Sequence, residues 1–138
     1  MIALELATQL KEAGLEWQPA LHDFFSVPFP DLEHRVFVLS DMTINQEVLR
    51  GWPALTFSGA MEWALDYVLT MEVVWLPTEA QLRQQLIARS QPDEMTMTYN
   101  GGGYELVLSE EGYREHFSAE TAEAVYGQAL LAVLQRAG

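Results

Sequence analysis

Apolar residues recur with helical spacing at both ends of the chain. Near the N-terminus, Ile2, Leu6 and Leu10 are spaced four apart, and Gly14 then provides a stop. This pattern predicts an amphipathic helix over 2–13. The same criterion predicts a helix over 119–136, and an apolar run and a capping signal predict two more, over 59–71 and 78–89.

Neighbouring residues give further information on three of these helices. Thr78 and Gln81 match the capping box, in which a threonine is followed three residues later by glutamine, at the start of helix 78–89. Ser118 is the predicted cap of helix 119–136. The stretch 59–71 is apolar nearly all round, which is typical of a helix buried at the centre of a domain.

Extended segments lie between the helices. The run "RVFVLS", residues 35–40, is β-branched and apolar, as in a strand covered on both faces. Segments 54–58 and 73–76 are two further candidates. The stretch "EWQPALHDFF", residues 16–25, is aromatic and irregular, and its Pro19 argues against a regular central strand.

The three glycines of the "NGGG" segment, Asn100–Gly103, predict a turn. A phosphate-binding loop would need a strand before the glycines and a helix after them. Here alternating side chains occur on both sides, so the pattern predicts a β-hairpin formed by 94–99 and 103–108. No lysine lies nearby, and Asp93 and Glu105 would repel phosphate.

These elements predict a single α+β domain over residues 1–138. A small mixed or antiparallel sheet, containing the hairpin, would be packed by about four helices. A length of 138 residues fits one domain. The content of 49% apolar residues, with four tryptophans, supports a hydrophobic core. The chain has no cysteine, which excludes disulfides and thiolate chemistry.

The net charge of the chain disfavours some classes of binding partner. Twenty acidic and seven basic residues give a net charge of −13, which repels nucleic acid and anionic lipid head groups. Such acidity is typical of a soluble cytosolic protein, and it also suits a surface built for a basic partner or one that imitates nucleic acid. The candidate interaction residues are the crowded acids Glu105, Glu110, Glu111, Glu115, Glu120 and Glu123.

The N-terminal segment lacks a basic lead and a small-residue cleavage site, and no window approaches the roughly 20 apolar residues of a membrane span. A soluble protein of the cytoplasm is expected.

Motifs for enzyme chemistry are missing from the sequence. His22, His34 and His116 are never three or four residues apart, so no zinc-binding helix pair is predicted. Ser40 and Ser58 do not lie in the Gly-x-Ser-x-Gly motif of a nucleophile elbow. No catalytic residue and no cofactor are therefore assigned.

A set of three acidic residues leaves an enzymatic function open as an alternative. Glu62 and Asp66 share a face of the predicted helix 59–71, and Asp41 lies at the end of the predicted strand 35–40. Three such carboxylates suit magnesium binding or general acid–base chemistry. The alternative is therefore a small-ligand-binding or magnesium-dependent, hydrolase-like enzyme.

The segments "AGLEWQP", "RVFVLSDM", "EWALDYVL" and "VVWLPTEAQLRQQL" resemble a small uncharacterised bacterial family, whose members sometimes carry a pilus-assembly label of the CpaE type. Proteins of the CpaE type resemble P-loop ATPases. This chain has no Gly-x-x-x-x-Gly-Lys motif, so the resemblance implies an association with a pathway and no ATPase chemistry.

The leading functional hypothesis is a non-enzymatic binding or adaptor module that presents an acidic face to a basic protein partner. A homodimer is expected as well. Most of the aromatic residues are expected in the core, and an excess over what one small core holds would indicate a dimer interface.

Overall fold

The computed structural model describes residues 1–40, 44–57 and 67–137. The described elements, in chain order, are α1 (Leu4–Glu12), β1 (Phe24–Ser26), β2 (Phe37–Val38), β3 (Ile44–Leu49), β4 (Trp52–Phe57), β5 (Tyr67–Leu69), a 3₁₀ turn (Thr70–Glu72), β6 (Val74–Leu76), α2 (Glu79–Ser90), β7 (Glu94–Tyr99), β8 (Tyr104–Glu110), β9 (Tyr113–Ala119) and α3 (Ala122–Ala137).

The strands form three antiparallel sheets of three strands each, with the orders β2–β1–β6, β3–β4–β5 and β7–β8–β9. The fold is therefore mixed α/β, as predicted. The single small sheet of the prediction is wrong, and the described residues contain three α-helices where about four were expected. The chain divides into two compact units: the first comprises Met1–Leu15 and Pro77–Gly138, and the second comprises Glu16–Leu76.

Within the first unit, α2 begins where the sequence predicts. The hydroxyl Oγ1 of Thr78 accepts a hydrogen bond of 3.2 Å from the Gln81 backbone N–H. In return, Oε1 of Gln81 accepts one of 2.9 Å from the Thr78 backbone N–H. Each group satisfies a donor that the first helical turn leaves unpaired, so the capping box is confirmed.

The predicted cap of the last helix is wrong. Ser118 lies in β9, opposite Glu105 of β8, and Thr121 caps α3 by accepting a hydrogen bond of 3.1 Å from the Ala124 backbone N–H. The segment around His116, which precedes the predicted helix 119–136, is the edge strand β9. Its side chains alternate between the covered and the open face of the sheet, but charged residues on both faces hide that alternation in the sequence.

The hairpin prediction is confirmed. Strands β7 and β8 pair from Glu94 opposite Ser109 to Tyr99 opposite Tyr104. In the turn between them, the Asn100 backbone N–H donates to the Gly103 carbonyl oxygen at 3.1 Å. The segment reverses the chain into a second strand, so it has no helix N-terminus to direct at an anion.

Helix α3 contributes more buried residues than any other described element of the first unit. Its buried residues are Ala122, Val125, Tyr126, Gly127, Ala129, Leu130 and Leu134. Leu106 and Leu108 of β8 are buried in the same unit. Helix α1 approaches α3 closely at Gly127, where a Cβ would lie 2.6 Å from Cδ2 of Leu6. A glycine at this position therefore lets the two helices pack in contact.

The second unit is built around aromatic residues. Strand β1 is the central strand of its sheet, and Phe25 is fully buried there. The ring of Phe25 lies 5.3 Å from that of Trp17 and 5.5 Å from that of Phe37. The prediction of irregular structure over 16–25 is therefore wrong at its end. Pro19 precedes the strand and removes no ladder hydrogen bond.

The helix predicted over 59–71 is wrong in its described part. Tyr67–Leu69 forms strand β5, which pairs with β4, and Thr70–Glu72 forms the 3₁₀ turn. The Glu72 carboxylate accepts a hydrogen bond of 3.0 Å from the Leu69 backbone N–H and so closes this turn. Positions 59–66 of the predicted helix lie outside the described residues.

Candidate interaction surfaces

The structure separates the six acidic residues assigned to an interaction face. Glu105 lies on the open face of the β7–β8–β9 sheet, near His116 at 3.8 Å. Glu120 follows β9 near the Asn100–Gly103 turn, and Glu123 lies in the first turn of α3. Glu110, Glu111 and Glu115 lie towards the opposite end of the sheet. The six residues therefore do not form one continuous face.

Two of the six carboxylates are neutralised inside the first unit. The guanidinium of Arg136 binds the Glu115 carboxylate with both terminal nitrogens, one of them at 2.6 Å from Oε1. This contact raises the pKa of Arg136, chiefly through the side-chain hydrogen bond. Glu123 lies 3.4 Å from the N-terminal ammonium of Met1. The charges of both carboxylates are therefore offset by groups of the same unit.

Glu110 and Glu111 lie at the same end of the sheet as two further acids, Asp93 and Glu94, which are not among the six predicted interaction residues. The Asp93 backbone N–H donates to the Ser109 carbonyl at 2.8 Å, and the Asp93 carboxylate accepts a hydrogen bond of 2.9 Å from the Glu111 N–H. Glu94 pairs with Ser109 at the same end of the sheet. We call Asp93, Glu94, Glu110 and Glu111 the acidic end. The pairing register of β7 with β8 places residues 93–94 beside residues 110–111. The hairpin pattern in the sequence could therefore have identified them.

The acidic end is held by a tight turn. Glu111 and Gly112 both have positive φ angles, +50° and +81°, and Glu110 pairs directly with Tyr113 across them. This geometry matches a two-residue hairpin turn. The carboxylates therefore project from a fixed backbone.

A groove of about 400 Å³ adjoins the acidic end. Its lining residues come from α2, β8, β9, α3 and the α2–β7 connection: Arg89, Ser90, Pro92, Leu108, Glu110, Tyr113, Glu115, Val133, Arg136 and Ala137. Tyr113 is 69% exposed at its margin. The groove therefore offers apolar contact beside the acidic end.

The second unit carries a separate groove of about 520 Å³, lined by Val48, Leu49, Arg50, Trp52, Tyr67, Leu69 and Glu72. We call it the Arg50 groove. Leu49 and Trp52 face each other across the β3–β4 turn, and Tyr67 and Leu69 belong to the neighbouring strand β5. Tryptophan, tyrosine and arginine are the residues most enriched at the energetic centres of protein interfaces.

The three residues of the predicted magnesium site cannot be placed in the fold. Asp41, Glu62 and Asp66 all lie outside the described residues. Within 1–40, 44–57 and 67–137, no group of three or more histidines, aspartates and glutamates is arranged to hold a metal ion. No helix in that part of the chain is long and apolar enough to span a membrane.

His22 and Asp23, adjacent in sequence, do not act as a pair. His22 is exposed with a positive φ of +73°, and its backbone N–H donates to the Leu39 carbonyl at 2.8 Å. Asp23 is buried, and its carboxylate accepts a hydrogen bond of 2.9 Å from the Trp17 indole. The backbone of His22 therefore forms part of the loop before β1.

No family model, no curated protein and no solved structure matches this chain.

Proposed function

We propose that the protein is a non-enzymatic binding module that presents the acidic end to a basic segment of a protein partner. One observation carries the proposal: four acidic residues, Asp93, Glu94, Glu110 and Glu111, lie at one end of the β7–β8–β9 sheet. Among the described ion pairs, none joins any of these four side chains to a basic group.

Clustered carboxylates attract a cation more strongly than scattered ones do. A single exposed ion pair contributes only about 0.2–1 kcal/mol. Several like charges held together raise the local potential, speed the association of an oppositely charged partner and disfavour partners of the same sign. The net charge of −13 acts in the same direction.

The partner proposed here combines basic side chains with at least one apolar side chain. Tyr113 is exposed beside Glu110, and Leu108 and Val133 line the adjoining groove. An apolar anchor in the groove would bury surface, while lysine or arginine side chains would lie against the acidic end. Arg136 opposes a basic partner little, because Glu115 already neutralises it.

The test is a calorimetric titration with a synthetic peptide that alternates lysine and leucine. The matched control peptide carries glutamate in place of lysine. We expect the lysine peptide to bind and to lose about tenfold or more in affinity between about 50 mM and about 500 mM salt, because salt screens exposed charges. Equal affinity at both salt concentrations, or equal binding of the glutamate peptide, would remove the basis of the proposal.

A further inference from the structure

The backbone of Arg50 lies in a tight turn at the margin of the Arg50 groove. Arg50 and Gly51 have φ angles of +52° and +87°, and the flanking residues Leu49 and Trp52 pair directly. Two positive φ angles at the centre of a two-residue hairpin match a type I′ turn. The guanidinium is therefore carried by a rigid turn at the margin of an apolar groove.

The charge of Arg50 has no partner in the described part of the chain, where the ion pairs involve other bases. Among the described residues that line the groove, Glu72 is the acid, and its carboxylate accepts a hydrogen bond of 3.0 Å from the Leu69 backbone N–H. Arg50 lies among Trp52, Tyr67 and leucines in this groove. It complements one anionic group on an apolar ligand.

We propose that the Arg50 groove binds the free carboxyl terminus of an apolar peptide. The planar guanidinium donates two parallel hydrogen bonds to a carboxylate, a geometry that lysine does not reproduce. With the terminal carboxylate on Arg50, the last side chains of the peptide lie on Trp52 and Tyr67. Aromatic rings supply large apolar contact area at such sites.

Charge limits the ligand to a single anionic group. The groove has one base, and the net charge of −13 repels ligands with several negative charges, such as nucleotides or nucleic acid. A peptide carboxyl terminus carries one charge at the end of an apolar body. It therefore satisfies Arg50 without adding repulsion elsewhere.

The shape of the groove favours a peptide over a small molecule. Val48, Trp52 and Tyr67 are 70%, 53% and 52% exposed, so the lining is open to solvent on one side. Sites for small ligands enclose roughly 70–90% of the ligand surface. Met71, 56% exposed and next to the lining residue Glu72, extends the apolar surface. An extended peptide would cover this open surface.

The first test compares two peptides of one sequence, ending in Phe-Leu, with a free carboxyl terminus and with a terminal amide. We expect the free acid to bind about tenfold tighter or more by calorimetry, because a charge-assisted bidentate contact is lost in the amide. N-acetyl-leucine serves as the small-molecule arm. Equal affinity of acid and amide, or N-acetyl-leucine binding as tightly as the peptide, would overturn the proposal.

The second test removes the guanidinium without disturbing the turn. Arg50→Asn creates an Asn-Gly pair, which a type I′ turn prefers, so the variant folds. We expect it to bind the acid and the amide equally weakly. Arg114→Gln, which removes an exposed base in the first unit, should keep the wild-type preference for the acid. Retained preference in Arg50→Asn would contradict the assignment.

A second copy of the chain is the competing occupant of the Arg50 groove. Sedimentation of the wild type and of Trp52→Ala distinguishes the two occupants. We expect the two proteins to have the same oligomeric state and Trp52→Ala to lose peptide binding. A dimer that dissociates in Trp52→Ala and competes with the peptide would show that this face binds another copy instead.

Discussion

The indole Nε1 of Trp17 donates a hydrogen bond of 2.9 Å to the buried carboxylate of Asp23. The same carboxylate oxygen, Oδ2, accepts a second hydrogen bond, of 3.1 Å, from the Ala20 backbone N–H. The Asp23 carbonyl in turn accepts one of 2.9 Å from the Leu39 N–H. One aspartate thus closes the loop that leads into β1 and fixes the residue that follows β2.

Asp23→Ala should destabilise the second unit. It leaves the Trp17 indole N–H and the Ala20 N–H without their acceptor, at a cost of about 1–3 kcal/mol. Urea denaturation followed by circular dichroism measures the loss. The control is Glu33→Ala, an exposed acid of the same unit, which should change the free energy of unfolding by less than about 0.5 kcal/mol. Equal stability of the two variants would show that Asp23 has no such role.

Gly103 and Gly102 should respond differently to alanine. A Cβ at Gly103 would lie 2.7 Å from the Ala119 carbonyl oxygen, which is backbone and cannot rotate away. Gly103→Ala should therefore cost about 1–3 kcal/mol. At Gly102 the nearest atom to a Cβ is the Asn100 side-chain oxygen at 3.8 Å. Gly102→Ala should be close to neutral, and thermal unfolding of both variants checks the difference. A neutral Gly103→Ala would contradict the observed packing of the hairpin against β9.

Sequence patterns predict an element well when its determinants are local. The capping box of Thr78 and Gln81 and the Asn-Gly start of the hairpin act within a few residues, and both are confirmed. Strand β5 is different. Tyr67–Leu69 continues an apolar run that is typical of a buried helix. These residues form a strand because they pair with β4, which lies outside the few residues that a local pattern covers. Tertiary pairing overrides the local preference there.

The acidic end shows that local sequence patterns also predict a binding site incompletely. Crowding of acids along the sequence identifies Glu110 and Glu111, but it also includes Glu115 and Glu123, whose charges are neutralised within the unit. Asp93 joins the acidic end through the pairing of β7 with β8. Sequence order shows which acids are near one another along the chain, and strand register decides which of them meet.

The Glu115–Arg136 ion pair should contribute little to stability, because its side chains are 21% and 56% exposed. We expect a double-mutant cycle with Glu115→Gln and Arg136→Gln to give a coupling of about 0.2–1 kcal/mol, which decreases in high salt. The raised pKa of Arg136 implies that the arginine's contribution is full below its ordinary, strongly basic pKa and is lost only as the pH rises through the higher pKa of the folded state. Stability between pH 6 and about 9 should therefore show no titration of Arg136.

Arg50→Asn should make the protein more stable. A non-glycine residue other than asparagine or aspartate is strained at a positive φ, and Arg50 has φ +52°. We expect asparagine at this position to raise the free energy of unfolding by about 0.5–1 kcal/mol in urea denaturation. Arg50→Ala, which keeps a Cβ without the asparagine side chain, should give no gain. A destabilised Arg50→Asn variant would argue against the type I′ turn.

The central claim, that the acidic end receives a basic partner, is tested most directly by comparing two triple variants of equal charge. Glu94→Gln, Glu110→Gln and Glu111→Gln together remove three carboxylates of the acidic end. The control variant, Glu5→Gln, Glu12→Gln and Glu120→Gln, removes three exposed carboxylates elsewhere in the first unit.

The measurement is the dissociation constant of the lysine–leucine peptide at low salt, determined by calorimetry for the wild type and both triple variants. We predict that the acidic-end variant binds about tenfold or more weakly than the control variant, which stays near the wild type. Equal weakening in the two variants would show that net charge alone attracts the peptide and would contradict a defined binding surface at the acidic end.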